Sequence, residues 1–225
     1  MRPATLCRSG AFLSPPRLVF SDIALNTDSM NTYTDTPPLP TSETLRDHFL
    51  IAMPGMHDAR FNHTVTYICE HSEKGAMGII INQLMPLTLG SIFNQLSLPD
   101  RRKLASSPVL AGGPVQVERG FVLHPTGQSW QSTLPVSDQV ALTASRDIID
   151  ALAEGEGPGT FLVALGYAGW EAGQLEEEIR ANAWLTVPAN PAIIFDTPLD
   201  QRWTLAAQQP LGIDLNLISS VAGHA

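Results

Sequence analysis

The chain has 225 residues, of which 44% are apolar and 16% charged, and it carries a formal net charge of −9. Such proportions suit one domain with a sizeable core and exclude a wholly disordered chain. The negative field argues against nonspecific nucleic-acid binding and against docking on anionic lipid.

Gly 17 and Pro 18 predict many short elements joined by turns. The two cysteines, Cys7 and Cys69, are too few for a disulfide framework, so a reducing, cytoplasmic location is expected. No apolar run approaches bilayer length, and the best, Ala76 to Ile81, is as long as a strand. The N-terminus carries Arg2, Arg8 and Arg17, but Pro15 and Pro16 interrupt its apolar stretch, a poor secretory signal, although residues 1–20 also fit an organellar presequence.

Residues 1–44 show no helical or strand period, and Pro37, Pro38 and Pro40 make a stiff, extended run. They are expected to form a disordered extension, with Met30 a more natural start and a single domain over 45–225. Phe49, Ile51 and Met53 open a strand that Pro54 and Gly55 end. From Thr64 to His71 the pattern alternates, placing Val65, Tyr67, Cys69 and His71 on one face. Ser72 to Gly75 is a turn, and Ala76 to Asn82 returns as a covered strand, completing a hairpin.

Leu89, Ile92, Phe93 and Leu96 share one helical face within Leu87 to Leu96. Gly112-Gly113-Pro114 marks a tight turn before a strand through Phe121, Val122 and Leu123. Another strand is expected over Val140 to Thr143, then a helix capped by Ser145 through Ile148, Ile149 and Leu152. A strand follows over Thr160 to Leu165, and a helix starting near Trp170 with Leu175 and Ile179 inward and Glu176, Glu177, Glu178 and Arg180 in solvent. Trp184 to Val187 and Ala192 to Phe195 read as strands, Asp200 to Ala207 as a helix, and Leu211 to Leu217 as weak alternation. Hairpins interspersed with helices predict an α+β fold, not a doubly wound sheet.

No motif assigns a catalytic residue, a metal or a cofactor. The glycines from Gly155 to Gly159 follow a helix and precede a strand, the reverse of a phosphate-binding loop. Ser129 lacks the second glycine of a nucleophile elbow. His57, Asp58, His63, Glu70 and His71 are close in sequence but lack metal-ligand spacing, and surface histidines explain them better. Cys69 and His71 on one strand face suggest an activated thiol, against which stands the burial usual for a free cysteine. Gly166 to Trp170 falls where a buried strand is expected to turn into a helix, a frequent ligand position and also an ordinary packing site.

His48-Phe49-Leu50-Ile51-Ala52-Met53-Pro54, Tyr67 to His71 and Gly75 to Asn82 resemble the opening of the YqgE/AlgH family. The likeness continues through Gly112-Gly113-Pro114, Arg119 to His124, Thr143 to Asp147, Leu165 to Trp170, Gly173 to Glu176, Asn182 to Leu185 and Val221 to Ala225. The resemblance implies a bacterial cytoplasmic protein with a bent, mixed and mostly antiparallel sheet, partly folded on itself and flanked by helices. It also implies that residues 1–29 are foreign to the family. One branch is described as a transcriptional regulator linked to alginate synthesis, and most members have no assigned activity. Members often carry basic residues where Asn62 and His63 stand, and a lysine where Gln83 stands, so direct DNA contact is disfavoured in this chain.

The leading expectation is therefore a regulator acting through a protein partner, with no evident catalysis. The alternatives are a small-molecule binder or enzyme using the loops near Cys69 to His71 and Gly166 to Trp170, and a nucleic-acid-binding regulator. Candidate binding residues are Cys69, Glu70, His71, Asn82, Gly112, Gly113, Arg119, Gly166 and Trp170.

Overall fold

A computed structural model describes residues 44–56 and 58–212. All but Thr44 of the extension expected over 1–44, residues 213–217 of the weak alternation expected over Leu211 to Leu217, the closing family motif at 221–225 and His57 lie outside the described residues. Along the chain, β1 (His48–Ala52), β2 (Val65–Ser72), β3 (Gly75–Ile80) and β4 (Leu84–Thr88) precede α1 (Leu89–Leu96). Next come β5 (Pro108–Ala111), β6 (Val115–Pro125), β7 (Thr133–Pro135), β8 (Val140–Thr143) and α2 (Asp147–Glu154). β9 (Leu162–Glu171), α3 (Gln174–Arg180), β10 (Trp184–Pro188), α4 (Pro191–Phe195) and α5 (Arg202–Leu211) follow.

The strands form one curled, mostly antiparallel sheet in the order β10-β1-β2-β3-β9-β6-β8-β7, with β5 on β9 and β4 on β5. This is the α+β class expected. β9 joins the two halves of the sheet. Its first half lies between parallel β5 and antiparallel β6, and its second half pairs with β3. The concave side holds Phe49, Tyr67, Ile79, Phe121, Leu142 and, from α4 and α5, Ile193 and Trp203. On the outer face of one half, α1 and α2 pack Phe93 and Ile149 against Val122 and Val163. On the outer face of the other, α3 packs Leu175 over Leu50, Ile68 and Trp170.

Two strand irregularities decide which residues meet. Ile68 pairs with Gly78 and Glu70 with Met77, so Cys69 is an extra residue in β2. In β9, Leu165 faces the cluster under α1 and α2, whereas Ala168 and Trp170 face the one under α3. An unbroken alternation would put Leu165 and Ala168 on opposite faces. Gly166, at φ +74°, absorbs the extra residue.

Several expectations need correction. Gly166 to Trp170 is the middle and end of β9, and α3 begins only at Gln174. Ala192 to Phe195 lies in helix α4, because Asn190 caps the Ala192 amide at 3.0 Å and Pro191 pre-sets the first turn. Ser145 does not cap α2; its hydroxyl donates to Asp147 at 2.5 Å and accepts from the Ser132 amide at 3.1 Å. The short strands β4, β5 and β7 carry too few residues to show a period and were not expected.

His124 on β6 is fully buried. Its Nδ1–H donates to the Pro125 carbonyl at 2.8 Å, and its Nε2 lies 2.8 Å from the Thr143 hydroxyl. Burial pushes this imidazole below its ordinary value. As pH falls below about 6.5 the unfolded chain therefore takes up the proton first, and stability present above that pH is lost towards the lower folded value. Urea unfolding between pH 7 and 5 is expected to show this loss, and His124→Asn to flatten it. Asp58, held low by its hydrogen bonds from Arg60, and Glu176, held low first by its own backbone amide and then by His71, lose their contribution only below about pH 4.

Candidate functional site

Ala52 pairs with Trp184 across β1 and β10, and Ala76 pairs with Trp170 across β3 and β9. Both tryptophans thereby stand on the face that α3 covers. Their ring centroids are 6.0 Å apart at 80°, and Phe61, from the loop before β2, sits 5.4 Å from Trp184 and 6.4 Å from Trp170. Glu178, one turn beyond Gln174 on α3, ties the two tryptophans together. Its Oε2 accepts the indole N–H of Trp170 at 2.9 Å and of Trp184 at 2.8 Å, while Oε1 accepts the Gln174 amide at 2.9 Å.

Beside this cluster opens a cleft of about 690 Å³. Met53, Met56, Val115, Gly169 and Ala181 to Ala183 are among the residues that line it. Asp58 and Arg60 stand at the mouth. They share a two-pronged ion pair, with Nη2 to Oδ2 at 2.6 Å and Nε to Oδ1 at 3.0 Å. The Arg60 hydrogen bonds hold the Asp58 carboxyl below its usual range, and the carboxylate raises Arg60 in return. The Arg60 guanidinium carbon also lies 5.9 Å from the Phe61 ring centroid.

The candidate residues divide between cleft and scaffold. Trp170 lines the cleft. His71 pairs with Ala76, which pairs with Trp170, so His71 and Trp170 share the face beneath α3. The His71 ring is held on both sides, with Nδ1 accepting from the Leu45 amide at 3.0 Å and Nε2 lying 2.8 Å from Glu176. Cys69 does not share that face. It keeps the face of Val65 and Tyr67 in the concave core, fully buried, where its thiol reaches the Tyr67 carbonyl at 3.6 Å, and the bulge turns His71 to the other face. Burial, aided by the neighbouring Glu70 carboxylate, pushes the thiol well above its usual range, the opposite of an activated nucleophile.

Glu70 is half-buried just past the bulge. Asn82 joins the end of β3 to the start of β2, accepting from the Val65 amide at 2.8 Å and donating to the His63 carbonyl at 2.8 Å. Gly112, Gly113 and Gly166 form a backbone crossing of the β5–β6 connection over β9. Arg119 lies over Phe121 at 5.2 Å and donates to Gln116 at 3.3 Å, outside the cleft lining. His63 stacks 4.4 Å from Trp203.

Sequence reasoning missed Phe61, Trp184 and above all Glu178, which it left in solvent. A signal was available. Buried indoles need an acceptor for their N–H, and two tryptophans flanking one acidic helix restrict where that acceptor can come from.

Residues 49–216 match the model of the AlgH-like family. The chain is 60% identical over 181 residues to a UPF0301 protein of Saccharophagus degradans, covering 80% of this chain and 89% of that one. It is 56% identical over 187 residues to a UPF0301 protein of Thioalkalivibrio sulfidiphilus, covering 83% of this chain and 100% of the relative. The solution structure of the AlgH protein from Pseudomonas aeruginosa superposes with a TM-score of 0.68 at 50% identity, over 84% of this chain and 100% of that one. The crystal structure of DIP2367 from Corynebacterium diphtheriae, 20% identical with a TM-score of 0.59 over 77% of this chain and 91% of that one, shares the fold. On the span of the family match and the identity of these relatives, the chain belongs to the AlgH-like family.

Proposed function

We propose that this protein is a regulatory binding protein, acting through contacts made in the cleft beneath α3. The observation that carries this reading is the cleft itself. Its volume of about 690 Å³ falls within the range of sites for small molecules and short segments of partners. Methionines line it beside a rigid aromatic floor, a surface that adapts to the shape of an occupant. The groups best suited to acid/base or thiol chemistry are committed elsewhere, since Cys69 is sealed in the core and His71 is held between Leu45 and Glu176. The net charge of −9 lends no support to direct nucleic-acid contact.

The test is a thermal-shift screen of metabolites and short peptides on wild type and on Ala181→Trp. Ala181 is exposed on the cleft rim, so an indole there fills the cleft without entering the core. A ligand at about a hundredfold its Kd is expected to raise the wild-type Tm by about 5 °C or more and to leave the variant unmoved. A ligand that shifts both proteins equally binds elsewhere, and the cleft reading then fails.

A further inference from the structure

Among the described residues, the charged side chains lining the cleft are Asp58, Arg60 and Glu178. Asp58 and Arg60 neutralise each other in their ion pair. Glu178 forms no ion pair among the described residues, so the cleft retains one uncompensated carboxylate. That carboxylate is held before any ligand arrives. Two indole N–H groups occupy Oε2 and one amide occupies Oε1. A carboxylate offers about four acceptor positions, so one remains on Oε1.

A neutral oxygen would satisfy both indoles as well; the charge exceeds what the packing of Trp170 and Trp184 requires. Around it the cleft presents Met53, Met56 and Phe61, an apolar lining. The molecule itself sets a guanidinium against this lining, since the Arg60 guanidinium carbon lies 5.9 Å from the Phe61 centroid. Because the Arg60 side chain is 65% exposed at the mouth, it leaves the floor open.

We propose that the cleft recognises a guanidinium or alkylammonium group carried on an apolar stem, with Glu178 as its anionic partner. This rests on the reading of the cleft as the binding site and adds its chemical preference. The cation belongs either to a free small molecule or to an arginine or lysine side chain of a partner protein; the chemistry is shared.

The experiment follows the indole N–H resonances of Trp170 and Trp184 in the full-length chain. The probes are butylguanidinium, capped arginine (N-acetylarginine methylamide), and their neutral isosteres butylurea and capped citrulline. The cations are expected to shift both indoles and to bind about tenfold more tightly than the isosteres, or better. Glu178→Gln keeps an acceptor for the indoles and is expected to reduce the cations to the level of the neutral probes, and Ala181→Trp to abolish binding. Preference for capped arginine over butylguanidinium identifies a polypeptide side chain as the source, and the reverse preference a free molecule.

Equal binding of cations and isosteres, blocked by Ala181→Trp, overturns the cation preference and leaves the cleft reading standing. Binding of neither kind overturns the cation preference and leaves the cleft reading to the thermal-shift screen, whereas binding indifferent to Ala181→Trp removes both. The comparison of cation with isostere is made on wild type and so does not depend on how Glu178→Gln folds.

Discussion

Gly113→Ala is expected to destabilise the protein by ~4 kcal/mol or more, lowering the Tm by about 8 °C at least. At φ +152° the Gly113 backbone occupies a region closed to side chains. A Cβ there would lie 2.1 Å from the Tyr167 carbonyl carbon and 2.3 Å from the Ala168 amide nitrogen. Both are backbone atoms of β9, so no change of rotamer relieves the clash. The crossing is tight in both directions. A Cβ on Gly112 would stand 2.3 Å from the Gly166 oxygen, and one on Gly166 would stand 2.4 Å from the Gly113 oxygen.

Relief requires β9 to move away from the β5–β6 connection, and Trp170 is on that strand. The variant should therefore disturb the Trp170 indole resonance at temperatures where the chain is still folded. Gly159→Ala is the control. A Cβ at Gly159 meets nothing within 4 Å, and the change is expected to stay within about 0.5 kcal/mol. A loss under about 1 kcal/mol for Gly113→Ala would show that the strands part easily and that the crossing does not fix β9.

The same crossing shows where the sequence was readable. Strong periods gave β2 of the β2–β3 hairpin and the faces of α1 and α2, because each buries a regular stripe against its neighbours. What alternation cannot carry is an extra residue. Cys69 and Gly166 each insert one, and each reverses the face of everything after it. The pairing of Cys69 with His71 failed for that reason alone. A helix was expected to start near Trp170 because Leu175 and Ile179 share one stripe, although the strand runs on to Glu171 and α3 starts only at Gln174.

The cleft was legible in one residue, Trp170. Its other components come from the loops around Met53 and Phe61, from α3 and from the approach to β10, stretches separated by more than a hundred residues. Local pattern has no means of joining them. Glu178 in particular lies among three consecutive glutamates, and only the two indoles it contacts distinguish it from Glu177. The family resemblance, carried by many short motifs in order, supplied the bent sheet that periodicity could not.

Arg202→Met is expected to cost ~3 kcal/mol, with Arg202→Lys intermediate. Arg202 is 3% exposed at the start of α5, and burial lowers its guanidinium to about 10, leaving it charged at neutral pH. Its Nε donates to the Thr197 carbonyl at 2.9 Å, and Nη1 donates to the Ile81 carbonyl just past β3. Next to it, the Trp203 indole donates to the Ala52 carbonyl at the end of β1 at 2.9 Å. The first turn of α5 thus ties two strand ends together.

Two effects oppose each other at this position. Removing a buried cation recovers its desolvation cost, which is why apolar replacement of buried charge is often neutral or stabilising. Against that, methionine leaves the buried Ile81 carbonyl and the part-buried Thr197 carbonyl without these donors, at ~1–3 kcal/mol for a fully buried acceptor and less for the other. The second effect is the larger here because both acceptors are backbone atoms of fixed position. Lysine keeps the charge and one bond but cannot span two carbonyls with a single ammonium. Urea unfolding at pH 7 decides between the two: a methionine variant as stable as wild type would show that desolvation governs this site. Because α5 packs on the concave core and Trp170 and Trp184 belong to the outer cluster under α3, the stability loss should leave both indole N–H resonances in place below the unfolding transition.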